Sequence, residues 1–264
     1  MSEAIVQVRD LVVQYGTRTI LNGINLDIRK GESLVILGKS GCGKSTLLRC
    51  IIGLLKPASG DILIKGIDIT KIDDDSKTEV LKKIGMLFQS AALFNSMTVG
   101  DNVALPLREH TALEETTIRI MTNMKLGMVG LSGFEQFRPA QLSGGMKKRA
   151  GLARALAMDP AILFCDEPSA GLDPVVAAGL DHLIVQLKKA YKMTIVTVTH
   201  EMASVDIIAD RIAMMHEGKI LAIGTPAELK KMDNPVIVQF FNRQPDDAEI
   251  DRERYVLSLT SGVS

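Results

Sequence analysis

The sequence has no tryptophan and only three tyrosines in 264 residues, so a ring-stacking site has few residues to draw on. Its three cysteines, Cys42, Cys50 and Cys165, form no C-x-x-C pair. That excludes a zinc ribbon or a redox dithiol, and the odd count points to a reducing compartment. Net charge is missing too. The 31 basic residues balance 31 acidic ones, whereas phosphate-backbone binders carry a basic excess or patch, so no nucleic-acid partner is expected. The longest apolar runs, such as Cys50–Leu55 and Ala161–Cys165, are far shorter than the roughly 20 residues of a membrane-spanning helix. The opening MSEAIVQVRDL has no basic region followed by an apolar stretch, so no secretory leader is expected. A mean hydropathy of +0.17 is nevertheless slightly high for a chain that spans no membrane, and points to surface covered by partners.

What is present is an alternation of short β-rich and helical runs. Strands are expected at Ile24–Ile28, Ser33–Leu37, Asp61–Ile64, Ile84–Phe88, Ile162–Asp166 and Thr194–Val198. Helices are expected at Lys44–Gly53 and Pro174–Tyr191, the latter with proline in its first turn. Arg211–His216 and Ile220–Ile223 read as an antiparallel pair around Glu217-Gly218-Lys219. The pattern predicts an α/β fold with a mostly parallel sheet. From about 90 to 159 the character changes to helical, with Glu114–Val129 and Gly145–Ala157 as helices and Met97, Met121, Met124, Met128 and Met146 among them. This reads as a helical subdomain inserted into one domain over 1–243, its methionines chiefly packing helices. The remaining stretch, 244–264, is expected to be disordered or to dock on a neighbour.

Gly38-Lys39-Ser40-Gly41-Cys42-Gly43-Lys44-Ser45 matches the P-loop pattern G-x-x-x-x-G-K-[ST]. A strand enters it and a helix leaves it, as the chemistry requires. The glycines let backbone N–H groups converge on phosphate oxygens, and the helix N-terminus adds a positive dipole end. Lys44 would reach the β- and γ-phosphates, Ser45 would ligate Mg²⁺, and Thr46 would help on the α-phosphate side. Downstream, the buried-strand run Ile162–Cys165 ends in Asp166-Glu167. Ligands of open α/β sheets sit at that carboxyl edge. Asp166 fits a Mg²⁺-holding role and Glu167 that of general base for an attacking water. Successive strand residues point opposite ways, so the two acids have separate tasks.

Leu142-Ser143-Gly144-Gly145-Met146 lies upstream of that strand and opens a helix. It resembles the LSGGQ signature of the ABC ATPase family, with Met146 in place of Gln. The family's other elements follow in order over about residues 4–235. Tyr15 sits where the family has an adenine-stacking aromatic, Gln89 in LFQS resembles the Q-loop glutamine, Gly171-Leu172-Asp173 resembles the D-loop, and His200 after TIVTVT matches the switch histidine. The resemblance implies a head-to-tail dimer around two ATP molecules. Lys44, Ser45, Gln89, Asp166, Glu167 and His200 of one chain would act with Ser143, Gly144 and Gly145 of the other, with Ser45, Gln89 and Asp166 around Mg²⁺. The implied activity is ATP hydrolysis coupled to transport.

LFQSAALFNSMTVGDNVALPLREHT over Leu87–Thr111, together with Met146 and Lys147-Lys148-Arg149, is similar to the ATPase of MCE-type lipid transporters. That similarity implies phospholipid or sterol cargo, integral membrane permease subunits, an MCE lipid-binding protein, a small regulatory subunit, and a peripheral place on the cytoplasmic face of the inner membrane. The apolar cluster Ala91-Ala92-Leu93-Phe94 with Met97 is either a docking groove for a permease helix or local core. Other ABC importers or exporters would share the same ATP site. A soluble ABC ATPase acting on DNA or ribosomes is disfavoured by the single P-loop and the lack of sustained heptads. A non-hydrolysing module is disfavoured by the presence of Glu167 and His200.

Overall fold

The computed structural model describes residues 3–242 and 244. The chain forms two compact units divided between Pro226 and Ala227. The expected division at 243/244 falls inside the second unit, and the stretch after it, including Tyr255-Val256-Leu257, lies outside the described residues apart from Gln244.

The first unit carries two sheets. β1 (Ala4–Tyr15), β2 (Arg18–Arg29), β4 (Ser59–Ile64) and β5 (Ile67–Asp68) form an antiparallel sheet in the order β2-β1-β4-β5. The other sheet runs β10-β9-β3-β8-β7-β6, from β3 (Ser33–Leu37), β6 (Ile84–Leu87), β7 (Ile162–Asp166), β8 (Thr194–Thr199), β9 (Arg211–His216) and β10 (Lys219–Gly224). All its pairs are parallel except β9 with β10, the expected antiparallel pair. α1 (Lys44–Ile51), α2 (Asp74–Leu81) and α6 (Pro174–Tyr191) accompany the strands, and α7 (Met202–Ile208) follows β8. The helical insertion comprises α3 (Val99–His110), α4 (Glu115–Met128) and α5 (Gly144–Ala155). Among the described residues no helix is long and apolar enough to cross a membrane.

Two cores explain why the central strands are apolar without alternation. Ile162 and Phe164 of β7 and Val196 and Val198 of β8 join a core with α1 and the antiparallel sheet. Leu163, Cys165 and Ile195 join a second core with α5 and α6. A parallel strand buried on both faces has no polar side to show. The three cysteines are free and buried, and burial pushes the Cys165 thiol up to about 12.

Several elements differ from the sequence reading. β1 was not expected. Its buried positions run Ile5, Val6, Val8, then Leu11 and Val13. A bulge with Asp10 at φ 46 changes the phase between them and hides the period of two. α3 lies within the expected helical subdomain but is not among the helices the sequence reading names, and Pro106 stands inside it. It forms around an N-cap, Thr98, whose Oγ1 accepts from Asp101 N at 3.0 Å. α5 opens at Gly144 rather than Gly145.

In the second unit, a helix over Pro235–Phe241 starts from Asn234, whose Oδ1 accepts from the Val236 and Ile237 amides at 3.0 and 3.4 Å.

Candidate active site

The glycine-rich loop leaves β3 and delivers Lys44 as the first residue of α1. Gly41 and Gly43 have φ of 77 and 105, in the left-handed region that favours glycine. A Cβ on Gly43 would lie 2.6 Å from Leu21 Cδ2. Gly43 is also the N-cap of α1, with no side-chain cap and no acid in the first turn. The amides of that turn are therefore aimed into the loop without a side-chain acceptor, a cradle suited to phosphate oxygens. Lys44 is buried, and its Nζ donates to the carbonyls of Gly38 and Lys39 at 2.8 and 3.0 Å. Cys42 is buried within the loop, and burial raises its thiol pKa. Ser40 and Gly41 are exposed, and Thr46 is half-buried.

Strand alternation brings in the first acid. Asp166 shares its face of β7 with Ile162 and Phe164, the face that meets α1. Ser45 Oγ donates to Asp166 Oδ1 at 3.0 Å. Burial raises the Asp166 pKa against the lowering effect of that bond, and the neighbouring Glu167 adds to the rise. A hydroxyl and a carboxylate oxygen meeting beside the cradle suit a hard cation that takes its other ligands from phosphate and water. Among the described residues no cluster of three or more His, Cys, Asp or Glu forms a self-sufficient metal cage.

Glu167 follows β7 with φ 48. Its amide donates to Val198 O at 2.9 Å, and its Oε1 is hydrogen-bonded to His200 Nδ1 at 2.7 Å. Its Oε2 is buried without a hydrogen-bond partner. His200 follows β8, the neighbour of β7, and is exposed. An orphaned buried carboxylate oxygen has room for one more donor, such as a water.

The other expected site residues stand at the ends of other elements. Gln89 is exposed on the turn after β6. Tyr15 ends β1 and is 51% exposed. Ser143 caps α5, its Oγ accepting from Met146 N at 3.3 Å, and Gly144 beside it is exposed. Asp173 caps α6 through the Val175 and Val176 amides at 3.2 and 3.1 Å. Gly144 and Gly145 at the start of α5 do meet the stretch from Leu172 to Val176. A Cβ on Gly145 would lie 2.6 Å from Val176 Cγ1, and one on Gly144 3.4 Å from Leu172 Cδ2.

Three supporting groups escaped the sequence reading. Lys148, buried on α5, donates to the Glu167 carbonyl at 3.0 Å. Arg154 donates to the carbonyls of Ala91 and Ala92, both at 2.8 Å, and both alanines have positive φ. Asn102, fully buried, binds both backbone groups of Phe94 at 2.7 and 3.1 Å. Arg154 and Asn102 together fix the segment after Gln89. The apolar cluster there divides: Ala91 is buried and Leu93 packs on the second core, while Ala92 and Phe94 are exposed. Phe94, with Leu81, Met86, Phe88, Pro106 and Met158, lines a groove of 530 Å³.

Behind the carboxylates, Ser169 Oγ hydrogen-bonds Asp181 of α6, and Ser204 Oγ of α7 reaches Ser169 Oγ at 3.5 Å. Burial raises the Asp181 pKa above 3.8. The native state then binds more protons than the unfolded chain above that value, so stability falls as pH rises through the raised pKa. Wild type is expected to lose stability relative to Asp181→Asn as pH rises from about 4 toward 7, read as the gap between urea midpoints. A gap that does not change with pH would contradict this.

A strand, a glycine loop and a helix carrying a buried lysine, joined through a serine to a strand-end carboxylate, define a P-loop nucleotide-binding site. Residues 21–170 match the family model described as ABC transporter, and the chain belongs to that family. It is 42% identical over 246 residues, 93% of each chain, to the "Intermembrane phospholipid transport system ATP-binding protein MlaF" of Haemophilus influenzae. It is 44% identical over 237 residues to the "Probable ribonucleotide transport ATP-binding protein mkl" of Mycobacterium leprae, covering 90% of this chain and 68% of that one. A solved dimer of the ATP-binding cassette MJ0796 in a post-hydrolysis state with ADP and Pi superposes with a TM-score of 0.77 at 32% identity, covering 83% of this chain and 98% of that one. The chain is an ABC ATPase that binds and hydrolyses ATP, of a kind that dimerises and works with membrane permease components.

Proposed function

We propose that this ATPase drives phospholipid or sterol transport between envelope membranes. The observation that carries the reading is the Leu87–Thr111 segment with Met146, set beside the 42% identity to MlaF along 93% of each chain. In this reading the protein sits on the cytoplasmic face of the inner membrane. A permease helix fills the groove beside Phe94, and an MCE lipid-binding protein and a small regulatory subunit complete the assembly. A second reading, transport of another small solute, draws on the relative described for ribonucleotide transport.

The site residues take these roles. Tyr15 stacks on adenine, and the amides of Gly38–Ser45 with Thr46 cradle the phosphates, where Lys44 neutralises β- and γ-oxygens. Ser45 and Asp166, with Gln89, hold Mg²⁺, which when bound offsets charge on the β- and γ-phosphate oxygens. Glu167 takes a proton from water as its oxygen attacks the γ-phosphorus. The bond to the β–γ bridging oxygen breaks, giving ADP and phosphate. His200 holds the Glu167 carboxylate in line and touches the γ-phosphate. Ser143, Gly144 and Gly145 of a second copy close over the same γ-phosphate through the N-terminus of α5, with Asp173 at the dimer seam. ATP thus joins the copies, and loss of its γ-phosphate releases them.

Purifying the tagged chain from its native membrane in mild detergent tests the lipid reading. A multipass permease, an MCE protein and bound phospholipid are the expected company. A permease with a soluble solute-binding protein would overturn the lipid assignment while leaving the motor intact.

A further inference from the structure

Burying a lysine is costly unless its ammonium has work to do. Lys148 is only 6% exposed. Its neighbours behave differently: Lys147 is half-buried, and Arg149 donates to Val129 O at 3.1 Å. Lys148 alone of the three reaches the site, through Nζ to the Glu167 carbonyl at 3.0 Å.

The backbone it reaches is under strain. Glu167 has φ 48, a left-handed conformation unfavourable for a residue with a Cβ. Such a conformation persists only where its surroundings over-determine it. Three bonds do so: Glu167 N to Val198 O at 2.9 Å, Ala170 N to Glu167 O at 3.3 Å, and the Lys148 ammonium on that same carbonyl. The first two come from β8 and from the local turn. Only the third comes from another helix, the one capped by Ser143.

We infer that Lys148 is a positioning residue for Glu167, tying the signature helix of each chain to the catalytic carboxylate of the same chain. It acts on the backbone, and so sets where the side chain stands beside His200. The inference rests on the reading of Glu167 as general base. It also gives the two ATP sites of a dimer a material link. The helix end that closes on the partner's nucleotide is the start of the helix that holds this chain's own base.

The test is steady-state ATP turnover of the full-length chain, with ATP affinity measured separately by a fluorescent nucleotide. Lys148→Met keeps the apolar stem and removes the donor. Its kcat is expected to fall about 10- to 100-fold, the worth of a charge-assisted hydrogen bond to a positioned group, with ATP affinity within about twofold of wild type. Lys148→Arg restores a donor and is expected to recover most of that loss. Should Lys148→Met fail to fold, Lys148→Leu, which likewise has no donor, carries the same comparison. Wild-type kcat in the donor-lacking variant, equal loss in the arginine variant, or a parallel loss of ATP affinity would each overturn the inference. Glu167→Gln measured alongside separates the two readings: if that variant turns over normally, it is the base assignment that fails.

Discussion

Glu167→Gln is expected to bind ATP as wild type does and to hydrolyse it about a thousandfold more slowly, within the range a positioned general base supplies. The substitution is nearly isosteric. Its Oε1 can stay beside His200 Nδ1, where the carboxylate oxygen lies at 2.7 Å. What disappears is the proton acceptor at Oε2, the buried oxygen without a protein partner. Neither Lys44 nor the Ser45–Asp166 pair is touched, so the cradle is intact. ATP that is bound but not cleaved keeps both half-sites joined, and the variant should run as a dimer in size-exclusion chromatography with ATP. Undiminished turnover would remove Glu167 from the base role. A monomer with bound ATP would remove the trans arrangement.

Lys44→Ala should weaken ATP binding by roughly a hundredfold, the loss of one or two charge-assisted bonds to phosphate at about 1.5–3 kcal/mol each. The amine is held on the Gly38 and Lys39 carbonyls, so the substitution deletes both the cation and a tie across the loop. Calorimetric titration with ATP reads the affinity, and a thermal melt checks that the fold survives. Wild-type affinity would contradict the P-loop assignment.

The sequence displays the phosphate cradle almost completely, because a glycine loop between a buried strand and a helix is local chemistry. Alternation along Ile162–Asp166 also anticipates that Asp166 and Glu167 part company, and the structure shows why: one acid meets Ser45 and the other His200. That second pairing spans 33 positions and depends on β7 and β8 being neighbours, which no local pattern states. Elements were lost to the reading where a local irregularity broke the period, as at Asp10 in β1 and Pro106 in α3. Lys148 and Arg154 were hidden for a different reason. On an amphipathic helix, basic residues read as a solvated face. Their inward roles are set by carbonyls far away in sequence, those of Glu167, Ala91 and Ala92. The groove beside Phe94 likewise needs α3 in place, so only its Gln89-adjacent half was visible as an apolar cluster.

The helix α5 is capped at its start by Ser143 and tied to carbonyls outside itself at two points, Lys148 midway and Arg154 near its end. Twelve residues span about 18 Å at 1.5 Å each, and an intact α-helix hardly stretches over that length. It therefore acts as a spacer, fixing how far the loop of Ala91 and Ala92 stands from the serine at the other end, with the carbonyl of Glu167 tied between them.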